Sequence, residues 1–100
     1  MKIYLVGLPG SGKSLLGKEL SKSINLPFID LDAELEKQEG LKVAKIFASK
    51  GQDYFRTIEA DMLRKLSGEK EFVMATGGGT PCFHNNMEFI NQIGLLSIIL

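Results

Sequence analysis

Tryptophan is absent from this 100-residue chain, and cysteine and histidine occur once each, as Cys82 and His84. One cysteine excludes an internal disulfide and fits a reducing compartment. Two such residues with no other Cys or His make no metal site. Net charge is lacking too, because 12 basic and 12 acidic residues cancel. A nucleic-acid or membrane-surface partner is therefore not expected. No apolar run approaches the roughly 18–20 residues of a membrane span. The start, Met1-Lys2-Ile3-Tyr4, enters an apolar segment directly. No signal peptide is expected there, and a cytoplasmic location is. Arginine is scarce, with only Arg56 and Arg64. Repeats and low-complexity segments are missing, and the length suits one small domain, residues 1–100, with one core.

What the chain does have is Gly7-Leu8-Pro9-Gly10-Ser11-Gly12-Lys13-Ser14, an instance of Gly-x-x-x-x-Gly-Lys-[Ser/Thr]. The apolar run Ile3-Tyr4-Leu5-Val6 precedes it, and Leu16, Leu20 and Ile24 at four-residue spacing follow. Strand, glycine loop and helix are the context that gives this motif meaning. Gly7, Gly10 and Gly12 allow backbone N–H groups to converge on an anion, and the helix aims its positive end there. Lys13 can reach β- and γ-phosphates, and the Ser14 hydroxyl can ligate Mg²⁺.

Apolar runs at about 2–6, 27–30, 71–76 and 95–100 are near-continuous, which predicts parallel strands covered on both faces. Helices are expected from the loop to about Asn25, then at 32–39, 42–50, 53–67 and 85–93, with Asp32 a possible N-cap and Gly40 a stop. The alternation implies an α/β sandwich with right-handed crossovers. The crossover over about 32–67 holds three helices where one would suffice, which suggests a substrate platform. The last segment, Leu96-Ser97-Ile98-Ile99-Leu100, reads as a buried strand, so the chain is expected to be part of a longer protein.

Ligands of such sheets bind beyond the carboxyl ends of the strands. Asp30-Leu31-Asp32 ends the second strand, and its carboxylates suit Mg²⁺ and a hydroxyl-bearing substrate. Thr76-Gly77-Gly78-Gly79-Thr80 ends the third and exposes backbone donors. Arg56 lies three residues before Glu59, a spacing that lets the carboxylate orient the guanidinium. Each has a plain structural alternative: a strand-end turn for Asp30, a helix cap for Asp32, a flexible glycine turn, and an exposed ion pair.

Taken together, these segments make the chain resemble the amino-terminal part of the shikimate kinases. The resemblance rests on Gly7 to Ser14, Pro27-Phe28-Ile29-Asp30-Leu31-Asp32, Ile46-Phe47 with Gly51, Phe55-Arg56 with Glu59, and Gly77-Gly78-Gly79. It implies a three-layer P-loop kinase sandwich with four of five parallel strands, in the order 2-3-1-4. It also implies ATP-dependent phosphorylation of the shikimate 3-hydroxyl by a protein that is monomeric at full length. Gly10, Ser11, Gly12, Lys13, Ser14 and Leu15 would surround the ATP phosphates. Ser14 would hold Mg²⁺ directly and Asp30 through water. Lys13 and Asp32 would be catalytic. Asp32, Arg56, Gly77, Gly78 and Gly79 would bind shikimate, with Glu59 supporting Arg56. The family's lid arginine, second carboxylate-binding arginine, fifth strand and adenine loop would lie past position 100, so these residues alone are expected to be nearly inactive. Two other readings stay open: a gluconate or nucleoside-monophosphate kinase, and a non-catalytic nucleotide-binding module.

Overall fold

A computed structural model of the chain describes residues 1–7, 13–94 and 96–99, without the side chains of Lys13 and 96–99. The expected elements are present. Strand β1 (Lys2–Val6) leads to helix α1 (Lys13–Ile24), strand β2 (Phe28–Asp30) and three consecutive helices, α2 (Leu31–Glu39), α3 (Val43–Lys50) and α4 (Gln52–Leu66). Strand β3 (Phe72–Ala75), a 3-10 turn (Thr80–Cys82), helix α5 (Asn86–Ile93) and strand β4 (Leu96–Ile99) complete it. The sheet is parallel in the order β2-β3-β1-β4. Asp30 pairs with Ala75, and Leu5 with Ala75 on its other side, so the carboxyl ends of β1, β2 and β3 align. Thr76 fastens that edge, donating both its N–H and its hydroxyl to the Leu5 carbonyl at 3.0 and 2.9 Å.

Alternation along β1 separates the two faces. Tyr4 and Val6 point into the larger core with Leu31, Leu35, Ile46, Phe55, Leu63 and Ile90, drawn from α2 to α5. Ile3 and Leu5 point the other way, packing with Val73, Leu20, Leu26 and Phe28 on the α1 side. The buried Tyr4 hydroxyl shares a 2.6 Å hydrogen bond with Ser67, and burial pushes the phenol's pKa up against the opposing effect of that bond.

One expectation is corrected. Asp32 does not cap α2; Asp30 does, accepting from the Ala33 N–H at 3.1 Å while its backbone stays extended at φ −106°. Of the Leu16, Leu20, Ile24 stripe only Leu20 packs on the sheet, and Leu16 and Ile24 are 42% and 38% exposed. The helix approaches the sheet at Gly17, where a Cβ would overlap Phe28 Cε1. A larger side chain there would hold α1 away from Phe28 and Leu5.

The three-helix crossover is tied at its outer end. Glu39 at the end of α2 accepts from the Tyr54 hydroxyl of α4 at 2.8 Å and from Lys50 of α3 at 3.0 Å. Those bonds, Tyr54 first and Lys50 next, hold the Glu39 carboxyl below the ordinary range, and Lys50 is raised in turn by Glu39. Gly51, at φ +88°, joins α3 to α4 in a conformation that favours glycine. A depressed carboxyl adds stability that is present above its unfolded pKa and lost as the pH falls through the folded value. Glu39→Gln should therefore lower the denaturation midpoint at pH 7. The gap to the parent protein should close as the pH falls below about 4.5, the ordinary value of the group. Chemical denaturation of both proteins across pH checks it.

Candidate functional site

The aligned strand ends carry the site. At the β1 end, Gly10, Ser11 and Gly12, expected at the ATP phosphates, fall outside the described residues, as does the Lys13 side chain. Of the loop, Gly7 and the exit into α1 are described. Lys13 begins α1, and Ser14 in its first turn donates its hydroxyl to Asp30 Oδ2 at 2.8 Å. Leu15 follows, 68% exposed.

Asp30 thus serves two partners, Oδ1 capping α2 and Oδ2 receiving Ser14. A cap of this kind contributes about 1 kcal/mol to its helix. A hydroxyl and a carboxylate in contact are hard oxygen donors of the type Mg²⁺ accepts. That ion commonly takes only one or two protein groups and completes its shell with phosphate and water. Among the described residues no cluster of three or more acidic, His or Cys side chains offers a protein-only metal cage. The Ser14–Asp30 pair therefore fits Mg²⁺ shared with a phosphate ligand.

Asp32 lies two residues on, in the first turn of α2, and is half-buried. It faces the bare side of Gly77, where a Cβ would stand 3.0 and 3.3 Å from its carboxylate oxygens and 3.1 Å from the Thr80 hydroxyl. Gly79 does the same for Arg56, for a Cβ there would be 2.6 Å from Nη2 and 3.0 Å from Cζ. The lack of a side chain at residues 77 and 79 thus leaves room for the close approach of a carboxylate and a guanidinium respectively. Gly78, half-buried, lies between them.

The Arg56–Glu59 pair is not an exposed ion pair. Glu59 is 1% exposed and the Arg56 side chain 15%. Nη1 donates to both Glu59 oxygens at 3.1 and 3.3 Å. Phe83 stacks under the guanidinium at 4.2 Å, with Phe55 and Phe47 at 5.4 and 5.5 Å. Such contacts are worth about 0.5–2 kcal/mol. The Nε–H is buried and, among the described residues, has no hydrogen-bond partner. A buried unsatisfied donor costs on the order of 1–3 kcal/mol, so the guanidinium keeps a donor for which a further acceptor would be favourable. Sequence reasoning missed Phe83 and Thr80. Phe83 lies 27 positions from Arg56, and Thr80 simply reads as the residue after a glycine run.

A family model described as shikimate kinase matches residues 9–98. A shikimate kinase of Parabacteroides distasonis is 45% identical over 93 residues, which is 93% of this chain and 54% of that protein. The solved shikimate kinase of Bacteroides thetaiotaomicron superposes with a TM-score of 0.96 at 40% identity, covering 100% of this chain and 56% of that one. The Acinetobacter baumannii shikimate kinase, solved in complex with shikimate, gives 0.91 at 38% identity over 97% of this chain and 55% of that one. The chain spans about half the length of these proteins.

Because a methyl at residue 79 would overlap Arg56, Gly79→Ala should displace the guanidinium and loosen its bond to Glu59. Overpacking of this kind costs about 1–3 kcal/mol. Thermal denaturation should show the loss. An unchanged melting temperature together with an unmoved Arg56 in a crystal structure would contradict it.

Proposed function

Because the chain belongs to the shikimate kinase family, we propose that it supplies the phosphate-gripping and acceptor-binding half of a cytoplasmic enzyme that phosphorylates the shikimate 3-hydroxyl with ATP. The observation that carries this reading is the juxtaposition of Asp32 and Arg56 across one glycine loop, beside the Ser14–Asp30 pair. An acid, a hydroxyl and a triphosphate are the three recognition problems, and each has its group.

Arg56 would grip the acceptor's carboxylate through the edge that Glu59 leaves, with Nε among the donors. The amides of Gly77, Gly78 and Gly79 would complete the acceptor's cradle. Asp32 would hold the reacting hydroxyl and receive or orient its proton. Gly10, Ser11, Gly12, Lys13, Ser14 and Leu15 would bind the ATP phosphates, with Lys13 neutralising them. Ser14 directly, and Asp30 through water, would hold Mg²⁺, which when bound offsets charge on the β- and γ-phosphates. The acceptor oxygen then bonds to the γ-phosphorus as the bond to the ADP oxygen breaks, and the hydroxyl proton leaves toward Asp32. Such a transfer depends on positioning and charge neutralisation more than on a strong base. Helices α2 to α4 form the acceptor platform of a single domain over 1–100. The partners are shikimate and ATP, without nucleic acid or membrane, and the complete protein is monomeric.

Calorimetry on the protein with the coding sequence that follows Leu100 tests this. Shikimate should bind, and Arg56→Lys should weaken it by about 10- to 100-fold, the worth of a charge-assisted bond, with ATP affinity unchanged. Binding of gluconate or a nucleoside monophosphate in place of shikimate would overturn it.

The 100 residues alone should turn over at least ~10³-fold more slowly than the complete protein. A phosphate-directed arginine of the finger type is worth about 10³–10⁵ in rate, and the resemblance puts it past Leu100. A steady-state coupled assay on both lengths measures the ratio.

A further inference from the structure

We propose that Thr80 and Asn86, backed by Arg64, form a positioning relay that sets the orientation of Arg56. The proposal rests on reading Arg56 as the carboxylate clamp. The path starts at the second arginine of α4. Arg64 Nη1 donates to Asn86 Oδ1 at 2.7 Å, and Nη2 donates to the His84 carbonyl at 2.8 Å. Asn86 Nδ2 donates to the Thr80 carbonyl at 2.8 Å. The Thr80 hydroxyl donates to Glu59 Oε2 at 2.7 Å, and Glu59 accepts from Arg56 Nη1 on both oxygens.

Chemistry fixes the direction of each link. A guanidinium only donates, so the Asn86 atom facing Arg64 is its oxygen. That leaves the amide nitrogen for Thr80. A carboxylate only accepts, so the Thr80 hydroxyl must give its proton to Glu59. Thr80 and Asn86 are 0% exposed and Glu59 1%, so water does not compete for these bonds. Valine would fill the space of Thr80 and lack the donor.

Local backbone supports the same purpose. His84 and Asn85 both adopt left-handed conformations, at φ +51° and +58°. Such residues cost free energy and persist where their surroundings hold them. Here Arg64 grips the His84 carbonyl, and Asn86 starts α5 with its side chain turned inward. Phe83, between the strained pair and the 3-10 turn, lies under Arg56. The loop thus presents a hydroxyl to the clamp's counterion and a ring to the clamp itself. Relaxed, it would let Glu59 and the guanidinium turn away from the glycine loop.

The test is steady-state kinetics on the complete protein with shikimate and with its neutral carboxamide. Thr80→Val should raise KM for shikimate about 10-fold, the effect of one hydrogen bond to a charged group. kcat and KM for ATP should stay within about twofold, and Thr80→Ser should restore the parent value. KM for the carboxamide should not respond, because the relay acts through the carboxylate clamp. An unchanged shikimate KM in folded Thr80→Val overturns the proposal, and so does an equal rise for shikimate, carboxamide and ATP. If Thr80→Val does not fold, Arg64→Lys at the outer end decides. A two- to threefold rise confined to shikimate supports the relay, and none refutes it. A parent enzyme that uses acid and carboxamide equally well sinks the clamp reading itself, which is a different result from failure of the relay alone.

Discussion

A guanidinium mostly withdrawn from water needs its charge answered, and the answer here is Glu59. Burying both ions carries a desolvation penalty that their attraction repays only with good geometry and further hydrogen bonds. Both conditions are met. Glu59 receives Nη1 on both oxygens and a hydroxyl from Thr80, while three aromatic rings surround the guanidinium. The glycine loop, the 3-10 turn and the start of α5 are arranged around this pair. Removing one ion would strand the other, at a cost of about 3–5 kcal/mol. The pair is therefore a reason for the loop's shape as well as a binding device.

Much of this was legible in the sequence. The elements fall within a residue or two of their expected bounds, because glycine, proline and apolar runs punctuate this chain sharply. The strand order came with the family resemblance; periodicity alone does not give it. Arg56 and Glu59 announced themselves through helical spacing, and the triple glycine through its place after a strand. Their burial could not be read, because it depends on Phe83 and Thr80 arriving from another segment. The α1 stripe marks a helix without showing which residue meets the sheet, for a related reason. An apolar pattern records side chains, and at Gly17 the contact is made by the lack of one. Asp30 and Asp32 are chemically identical two positions apart, so only backbone geometry says which of them begins the helix.

The crossover from β2 to β3 shows why extra helices suit this position. It leaves the sheet at Asp30 and returns at Phe72, and its far end is tied through Glu39. Phe55, Leu31, Leu35 and Ile46 bury it in the same core that receives Tyr4 from β1. Arg56 is thus fixed to the central strand through packed side chains.

Asp30 carries one last implication. Most surface carboxylates wander among rotamers, and a ligand that recruits one must freeze it. This one is already stilled, one oxygen by the helix it begins and the other by Ser14. Its ordering is completed during folding, so whatever occupies the neighbouring loop meets a group at rest and keeps more of its own attraction as affinity.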